Sequence, residues 1–600
     1  MGLLQIEDCI ADDGSLVLPP GTTLISLIDR NIANVGDAVA YRYLDHSGAG
    51  DMHAVELTWA QLGVRLRAIG ARIQAATAPG DRVAVLAPQG LEFVAGFFAA
   101  IKAGTIAVPL FAPELPGHAE RLEIALRDAR PAAVLTTAAV RDVVLEFLDK
   151  LDGPPPAVIV VDEIDDAVGE RFTEVPIDVD DVSHLQYTGG ATRPPVGVEI
   201  THRAVGLNLV QMILSIDMLD RNTHGVSWLP LYHDMGLSMI GFPTVYGGHS
   251  TLMSPTAFLR RPERWIAALA AESRDARVVT AAPNFAYEWA AQRGVPRPGA
   301  DVDLSNVVMI VGSEPVSPHA IGTFAQAFAP FGLPATAIKP SYGIAEATLF
   351  VSTTEPTAEP TVTYVDRGAL SVGRAVPVLP DAPDTVAQVS CGWVARGLWA
   401  VIVDPATGAE QTDGTVGEIW LQGNNVGRGY WGRPEDTRRT FGARLSATLA
   451  SRSHADGSVA DRGWLRTGDL GCYLDGELYV TGRLADLVIV DGRVHYPQHI
   501  EATVADASAA VRRGYVVAVP IAADGRDPDI VVIAERAAGT ARADLSAVVA
   551  EIRSAVWQRH GLAVADVRLL PAGAIPRTTS GKLARWACRD QYLSGRWGVK

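Results

Sequence analysis

Short apolar runs alternate with longer segments of helical period over the first two thirds of the chain. "DRVAVLAP", "TIAVPLFAP", "PAAVLTT" and "PAVIVVDE" have the length and β-branched content of buried strands, while "GLEFVAGFFAAIKAG" and "HAERLEIALRDAR" place apolar residues on helical faces. Strand, helix and strand in succession predict a parallel sheet covered on both faces, so the fold class is α/β. The pattern recurs after residue 200, in "ARVVTAAP" and "SNVVMIVGSEP". From about 395 to 483 the texture becomes strands parted by Gly, Asp and Asn turns, as in "WAVIVDPATGAEQTDGTVGEIWLQGNN", which predicts a β-rich subdomain. A second change follows "GELYVTGRLADLVIVDGR". Beyond it "GYVVAVPIAADG", "DIVVIAER" and "LSAVVAEIRSAVWQRHG" predict a small α/β domain. The chain therefore divides into 1–483 and 484–600, with a Pro-, Thr- and Asp-rich surface insertion from about 352 to 390.

Six hundred residues exceed one hydrophobic core, in keeping with that division. A formal net charge of -17 argues against nucleic acid as the main partner. The four cysteines, Cys9, Cys391, Cys472 and Cys588, have no paired spacing, which predicts neither a disulfide framework nor a zinc site and suits a reducing cytoplasm. "FVAGFFAAI" is too short to span a bilayer, and the first residues lack the basic start of a signal peptide.

Several motifs are excluded by context. "GRGYWG" at 427–432 has dinucleotide-fingerprint spacing but lies in β-rich sequence with Pro434 close behind. "SGK" at 580–582 is no Walker loop, since Pro576 takes the first-glycine position. His495 and His499 have Pro497 between them and no third ligand in sequence. Four stretches carry more chemistry. "LQYTGGATRPPVGVEITH" at 185–202 packs glycine and threonine into one turn, as a loop that wraps an anion requires. "SYGIAEAT" at 341–348 offers an aromatic ring and the Glu346 carboxylate, a hard oxygen ligand suited to magnesium. "RTGDL" at 466–470 presents Asp469 after a turn glycine, able to accept from two hydroxyls. "PRTTSGKLAR" at 576–585 sets Lys582 in a glycine-bearing loop that can deliver it to an anionic site.

In order, "YTGGATRPPVG", "WLPLYHDMG", "GSEPV", "SYGIAEAT", "RTGDL", "GRLADLVIVDG" and "PRTTSGKLAR" resemble the adenylate-forming enzymes, from about 185 to 585. "SWLPLYHDMGL", "KPSYGIAEATLFVST" and "IPRTTSGKLARWACR" are similar to the fatty acyl-AMP ligases among them, most of all to the actinobacterial branch of mycolic acid synthesis. The resemblance implies a large N-terminal domain of layered αβαβα sheets with a β-barrel subdomain and a small mobile C-terminal domain. It implies that a long-chain fatty carboxylate attacks the α-phosphate of ATP, in the presence of Mg2+, giving acyl-AMP and pyrophosphate. The acyl group then passes to an acyl carrier protein, often part of a polyketide synthase.

By the same resemblance Lys582 meets the carboxylate and α-phosphate, Glu346 holds magnesium, and Asp469 with Arg483 holds the ribose. Tyr342 with Gly312, Ser313 and Glu314 flanks adenine, while Ser341, Gly343 and Ala345 line the nucleotide pocket. His233 stands near the phosphates or the mouth of the acyl tunnel. Thr188, Gly189, Gly190, Ala191, Thr192 and Arg193 wrap the β- and γ-phosphates. That loop departs from the family's pattern, which has serine at 189 and 191, and Val196 replaces a lysine. At about 1.5–3 kcal/mol per charge-assisted hydrogen bond, two missing hydroxyls leave Thr188, Thr192 and Arg193 to compensate. Two other outcomes are an acyl-CoA synthetase and an acyl- or nucleotide-binding protein of impaired catalysis. At the hinge, two residues after the motif arginine, stands Ala485 rather than the usual Asp or Lys. The 352–390 insertion matches the one that sets acyl-AMP ligases apart from acyl-CoA synthetases.

Overall fold

Strands of four residues hold together only when both faces are covered, and the first sheet shows how that is done. The computed structural model describes residues 2–48, 52–113, 118–188, 195–219, 221–523, 526–540, 543–578 and 582–597. Its first sheet runs in the order Ala157–Val160, Ala133–Thr136, Arg82–Val85, Ile106–Pro109, Val182–Tyr187, Gly197–Thr201. The strands are parallel except for the closing pair, in which Val182–Tyr187 runs antiparallel to Gly197–Thr201. The apolar run "FVAGFFAAI" lies in helix Leu91–Lys102, where every residue except Glu92 is buried. Lys102 is buried too, and its Nζ is held 3.0 Å from Asp29. A helix hydrophobic on all sides is a core helix here. Among the described residues no helix is long and apolar enough to cross a membrane.

The second sheet has the order Trp393–Val394, Phe350–Thr353, Ile338–Gly343, Val307–Val311, Arg277–Ala282, Thr223–Ser227, His249–Met253, Val39–Asp45, His53–Thr58. Its six central strands are parallel and its edges antiparallel. Parallel sheets present ligand sites at the carboxyl ends of their strands, which here are Gly312 and Gly343.

The β-rich stretch folds as an antiparallel sheet ordered Leu398–Val403, Gly417–Gly423, Leu465–Leu474, Glu477–Arg483. The outer two strands are not paired with each other among the described residues, so the expected barrel is represented by an open sheet. After Arg483, strands Val511–Ala523, Arg526–Arg536 and Val564–Leu570 pack with helices Pro497–Ala507 and Leu545–His560 around a separate core that includes Val488, Ile500, Val532 and Ile552. All four cysteines are buried and unbridged.

The segment read as a surface insertion differs from its composition. Ser352 and Thr353 belong to the second sheet, and the rest forms a hairpin, Val362–Asp366 with Thr385–Val389, carrying the short helix Arg367–Ser371. Leu379 and Val372 are exposed, but Val365, Leu370 and Val386 pack against Leu470, Cys472 and Tyr479 and against Tyr496 from beyond Arg483. Alternation within "VTYVD" and "TVAQV" supplies that inner face, and the surrounding Pro, Thr and Asp obscure it in sequence.

Candidate active site

A cleft of about 1920 Å³ opens between the carboxyl ends of the second sheet, the β-rich sheet and the C-terminal unit. Of the residues expected there, Thr188, Gly312, Ser313, Glu314, Ser341, Tyr342, Gly343, Ala345, Glu346, Asp469, Arg483 and Lys582 line it. Gly189, Gly190, Ala191, Thr192 and Arg193 lie outside the described residues. The base of their loop is fixed by Thr188, whose N–H donates to the Val196 carbonyl at 3.0 Å and whose Oγ1 accepts from Val196 N–H at 3.2 Å. Val196, where a lysine was expected, is a buried core residue.

Strand Val307–Val311 ends at Gly312, where a Cβ would stand 2.8 Å from the Ser341 carbonyl oxygen, so this position admits only glycine without a backbone shift. Strand Ile338–Gly343 turns back on itself, and a Cβ at Gly343 would collide with the Leu349 carbonyl. The short 3-10 turn Ala345–Ala347 inside that hairpin aims Glu346 at the cleft, where its Oε1 accepts from the Tyr430 hydroxyl at 2.9 Å. Tyr430 belongs to "GRGYWG", whose glycines bring backbone close: Gly427 N–H donates to the Glu346 carbonyl at 2.9 Å. That motif serves the site without being a dinucleotide loop.

Asp469 and Arg483 are register partners in the β-rich sheet. Arg483 Nε donates to Asp469 Oδ1 at 2.7 Å, and the Tyr342 hydroxyl donates to Oδ2 at 2.8 Å. Each oxygen of the carboxylate retains a second lone pair for a ligand hydroxyl. The Asp469 charge raises the Arg483 pKa further, and burial raises that of Tyr342.

Lys582 lines the cleft and is tied to Thr578 by two hydrogen bonds (Thr578 N–H to Lys582 O, 2.8 Å; Lys582 N–H to Thr578 Oγ1, 3.1 Å). The next turn of chain is anchored by Arg585, whose guanidinium donates to both oxygens of Glu501 at 2.9 and 2.6 Å. Burial lowers the Lys582 pKa; Asp234 opposes this, Arg483 adds to it, and Glu314 opposes it. Burial conversely raises Asp234 and Glu314, with Lys582 pulling both back. The two carboxylates and the ammonium thus form one mutually dependent group.

His233 caps helix Asp234–Tyr246 but is not among the residues lining the cleft; its neighbour Asp234 is. Burial, then the charges of Lys582, Arg121 and His118, push the imidazole down to about 3, which leaves it neutral. Asp234 and Tyr430 are site residues that sequence reading passed over. The first stood in "YHDMG" beside the more conspicuous histidine, and the second stood in a motif set aside for its glycines.

The layered sheets, the open β-rich sheet and the small C-terminal unit that delivers a lysine to the cleft define the adenylate-forming fold. Residues 28–431 match the family of AMP-binding enzymes. The long-chain-fatty-acid–AMP ligase FadD32 of Mycolicibacterium smegmatis is 46% identical over 97% of this chain and 96% of its own. A long-chain-fatty-acid–AMP ligase of Mycobacterium marinum, FadD26, is 41% identical over 95% of this chain and 97% of its own. Among solved structures, a fatty acyl-adenylate ligase from a study of the E. coli and L. pneumophila enzymes superposes with a TM-score of 0.82 at 29% identity, covering 96% of this chain and 98% of its own. The L. pneumophila ligase in complex with acyl adenylate and pyrophosphate gives 0.71 at 31% identity, covering 95% and 96%. The chain belongs to the AMP-binding enzyme family.

Proposed function

We propose that the protein is a long-chain fatty acyl-AMP ligase, working in the cytoplasm and passing its acyl group to the phosphopantetheine arm of a carrier protein. The observation that carries this reading is the convergence of Lys582, Asp469, Arg483, Tyr342 and Glu346 on one cleft. Tyr342 and Gly312 to Glu314 flank the adenine, Ser341, Gly343 and Ala345 line its pocket, and Asp469 with Arg483 takes the ribose hydroxyls. Met212, Met239, Ile310 and Phe350 offer a surface for the start of the acyl chain.

The reaction needs no general base, because a fatty acid with the roughly 4.3 pKa of a carboxyl is already ionised at neutral pH. A carboxylate oxygen attacks the α-phosphorus, the bond to the bridging oxygen breaks, and pyrophosphate leaves with the electron pair. Alignment and charge neutralisation do the work. Lys582 lies against the attacking carboxylate and the α-phosphate, and the loop from Thr188 to Arg193 wraps the outer phosphates. His233 is a neutral neighbour of the phosphate end. Glu346 fits magnesium, an ion held by one or two carboxylates plus phosphate oxygens, and such an ion would neutralise charge developing on the phosphates.

Acyl transfer calls for the unit after Arg483 to turn about Ala485, which lies in the short turn Leu484–Asp486. Tyr496 of that unit packs into the 352–390 insertion, and Gln388 approaches His499 at 3.3 Å. The insertion thereby holds the orientation in which Lys582 faces the cleft and disfavours the one needed for coenzyme A. The test is one reaction of the full chain with magnesium, labelled ATP, long-chain fatty acids and coenzyme A, products separated. Acyl-AMP without thioester supports the proposal; acyl-CoA points to a synthetase, and no turnover to an impaired binder.

A further inference from the structure

Parallel strands place register partners side by side on one face, and the second sheet carries a polar row that its apolar patterning does not explain. His249 pairs with His224; two residues on, Thr251 shares its face and pairs with Arg42, which pairs in turn with Glu56. Glu272, the last residue of helix Glu263–Glu272, is set against this row. His224 and His249 lie at the amino ends of their strands, Thr223–Ser227 and His249–Met253, whereas the cleft lies at the strands' carboxyl ends. The cluster is therefore separate from the adenylation site.

We propose that His224, His249 and Glu272 bind a divalent transition-metal ion, Zn(II) being the one that suits two imidazoles and a carboxylate. His224 Nδ1 lies 2.7 Å from Glu272 Oε2, His249 Nε2 lies 3.7 Å from Oε1, and the three ligand atoms fall within 4.8 Å of one another. A tetrahedral ion with bonds of about 2.0–2.1 Å holds its ligand atoms roughly 3.3 Å apart, so side-chain movements on the order of 1 Å complete the site. His249 and Glu272 are buried, and the partial exposure of His224 gives an ion its entry and a water the fourth position.

Charge and supporting contacts agree. Arg42 touches both Glu272, at 2.5 Å, and Glu56, at 2.7 Å, so two carboxylates outweigh one guanidinium beside the imidazoles. The Thr251 hydroxyl donates to Glu272 Oε1 at 2.6 Å and fixes the carboxylate, as partners of metal ligands do. An ion would take the place of the hydrogen bonds that now link His224 Nδ1 to Glu272 Oε2 at 2.7 Å and His249 Nε2 to Thr251 Oγ1 at 3.0 Å. The ion would join two strands to the helix across them.

The full chain, freed of metal with a chelator and desalted, is titrated with Co(II) and Zn(II). The expected result is one saturable equivalent per chain, the intense visible bands of tetrahedral Co(II), and a rise in Tm with Zn(II). H224N and H249N should each abolish the bands and the Tm rise. Absence of saturable binding, or binding unchanged in both variants, overturns the proposal. Should either variant fold poorly, X-ray absorption of the Zn(II)-loaded wild type decides: two imidazoles with a carboxylate support the site, and any other ligand set refutes it.

Discussion

Arg483 and Asp469 face each other across one rung of an antiparallel ladder, and their side chains meet at 2.7 Å, with Tyr342 completing the carboxylate from the other side. The pair joins the strand before the C-terminal unit to the strand bearing "RTGDL". Replacing Asp469 by Asn keeps the shape and removes the largest of the charges that stabilise the Arg483 guanidinium, ahead of Glu346. Hydrogen bonds to charged groups are worth about 1.5–3 kcal/mol, so Asp469→Asn should raise the KM for ATP by roughly ten- to a hundredfold. Pyrophosphate release against ATP concentration measures this, and an unchanged KM would remove Asp469 from the nucleotide site.

Lys582→Ala should cut adenylation by on the order of a hundredfold while Tm stays near that of wild type, as when other preorganised charges are removed. The pH profile carries a second signature. Burial lowers the Lys582 pKa below that of a free lysine, with Asp234 resisting. Because the charged ammonium is the working form, activity is full below the lowered pKa and declines as pH rises through it. Lys582→Arg, which stays protonated, should move that alkaline limb upward. Identical limbs in the two proteins would assign it elsewhere.

Much of this was legible in sequence because it is local. Valine-rich runs between helical segments predicted both sheets, whereas Gly468, read as a turn glycine, lies with Asp469 inside strand Leu465–Leu474. What sequence hid depends on chain pairing. The Asp469–Arg483 contact follows from a register shift between Leu470 and Gly471 that no composition encodes. Tyr430 reaches Glu346 from residues 84 positions away, and Asp234 matters only because the C-terminal unit brings Lys582 to it. The insertion read as surface because its polar residues outnumber the few apolar ones that bury against Tyr496.

Five histidines, His184 and His202 buried and His233, His499 and His560 half-buried, make the fold sensitive to acid. Burial takes His184, His233 and His499 down to about 3, and His202 and His560 to about 4. In the unfolded chain each titrates near the ordinary value of about 6.5. Below that pH the unfolded state binds protons that the folded state refuses, so stability is full above about 6.5 and declines towards 4. Tm should accordingly drop steeply between pH 7 and pH 5. A flat profile over that range would mean that these imidazoles are solvated or protonated in the native state.

Lys339 is buried, and its ammonium donates to three backbone carbonyls at the root of the insertion: Glu355 at 2.5 Å, Pro356 at 2.9 Å and Ala358 at 2.8 Å. All three donors of the group are thereby used. Burial, with the like charge of Arg277 behind it, lowers its pKa to about 8, so holding the charge there already costs stability. Lys339→Met removes that cost but leaves the carbonyls without donors, and an orphaned buried acceptor costs about 1–3 kcal/mol. The three carbonyls outweigh the single relieved charge, so Tm should fall and limited proteolysis should cut faster near 355–358. Because Lys339 shares its strand with Ser341 and Tyr342, the KM for ATP should rise as well. If the insertion restrains the C-terminal unit, loosening its root should also raise the proportion of acyl-CoA formed beside acyl-AMP. Unaltered proteolysis and Tm would show that the carbonyl cage does not anchor the insertion.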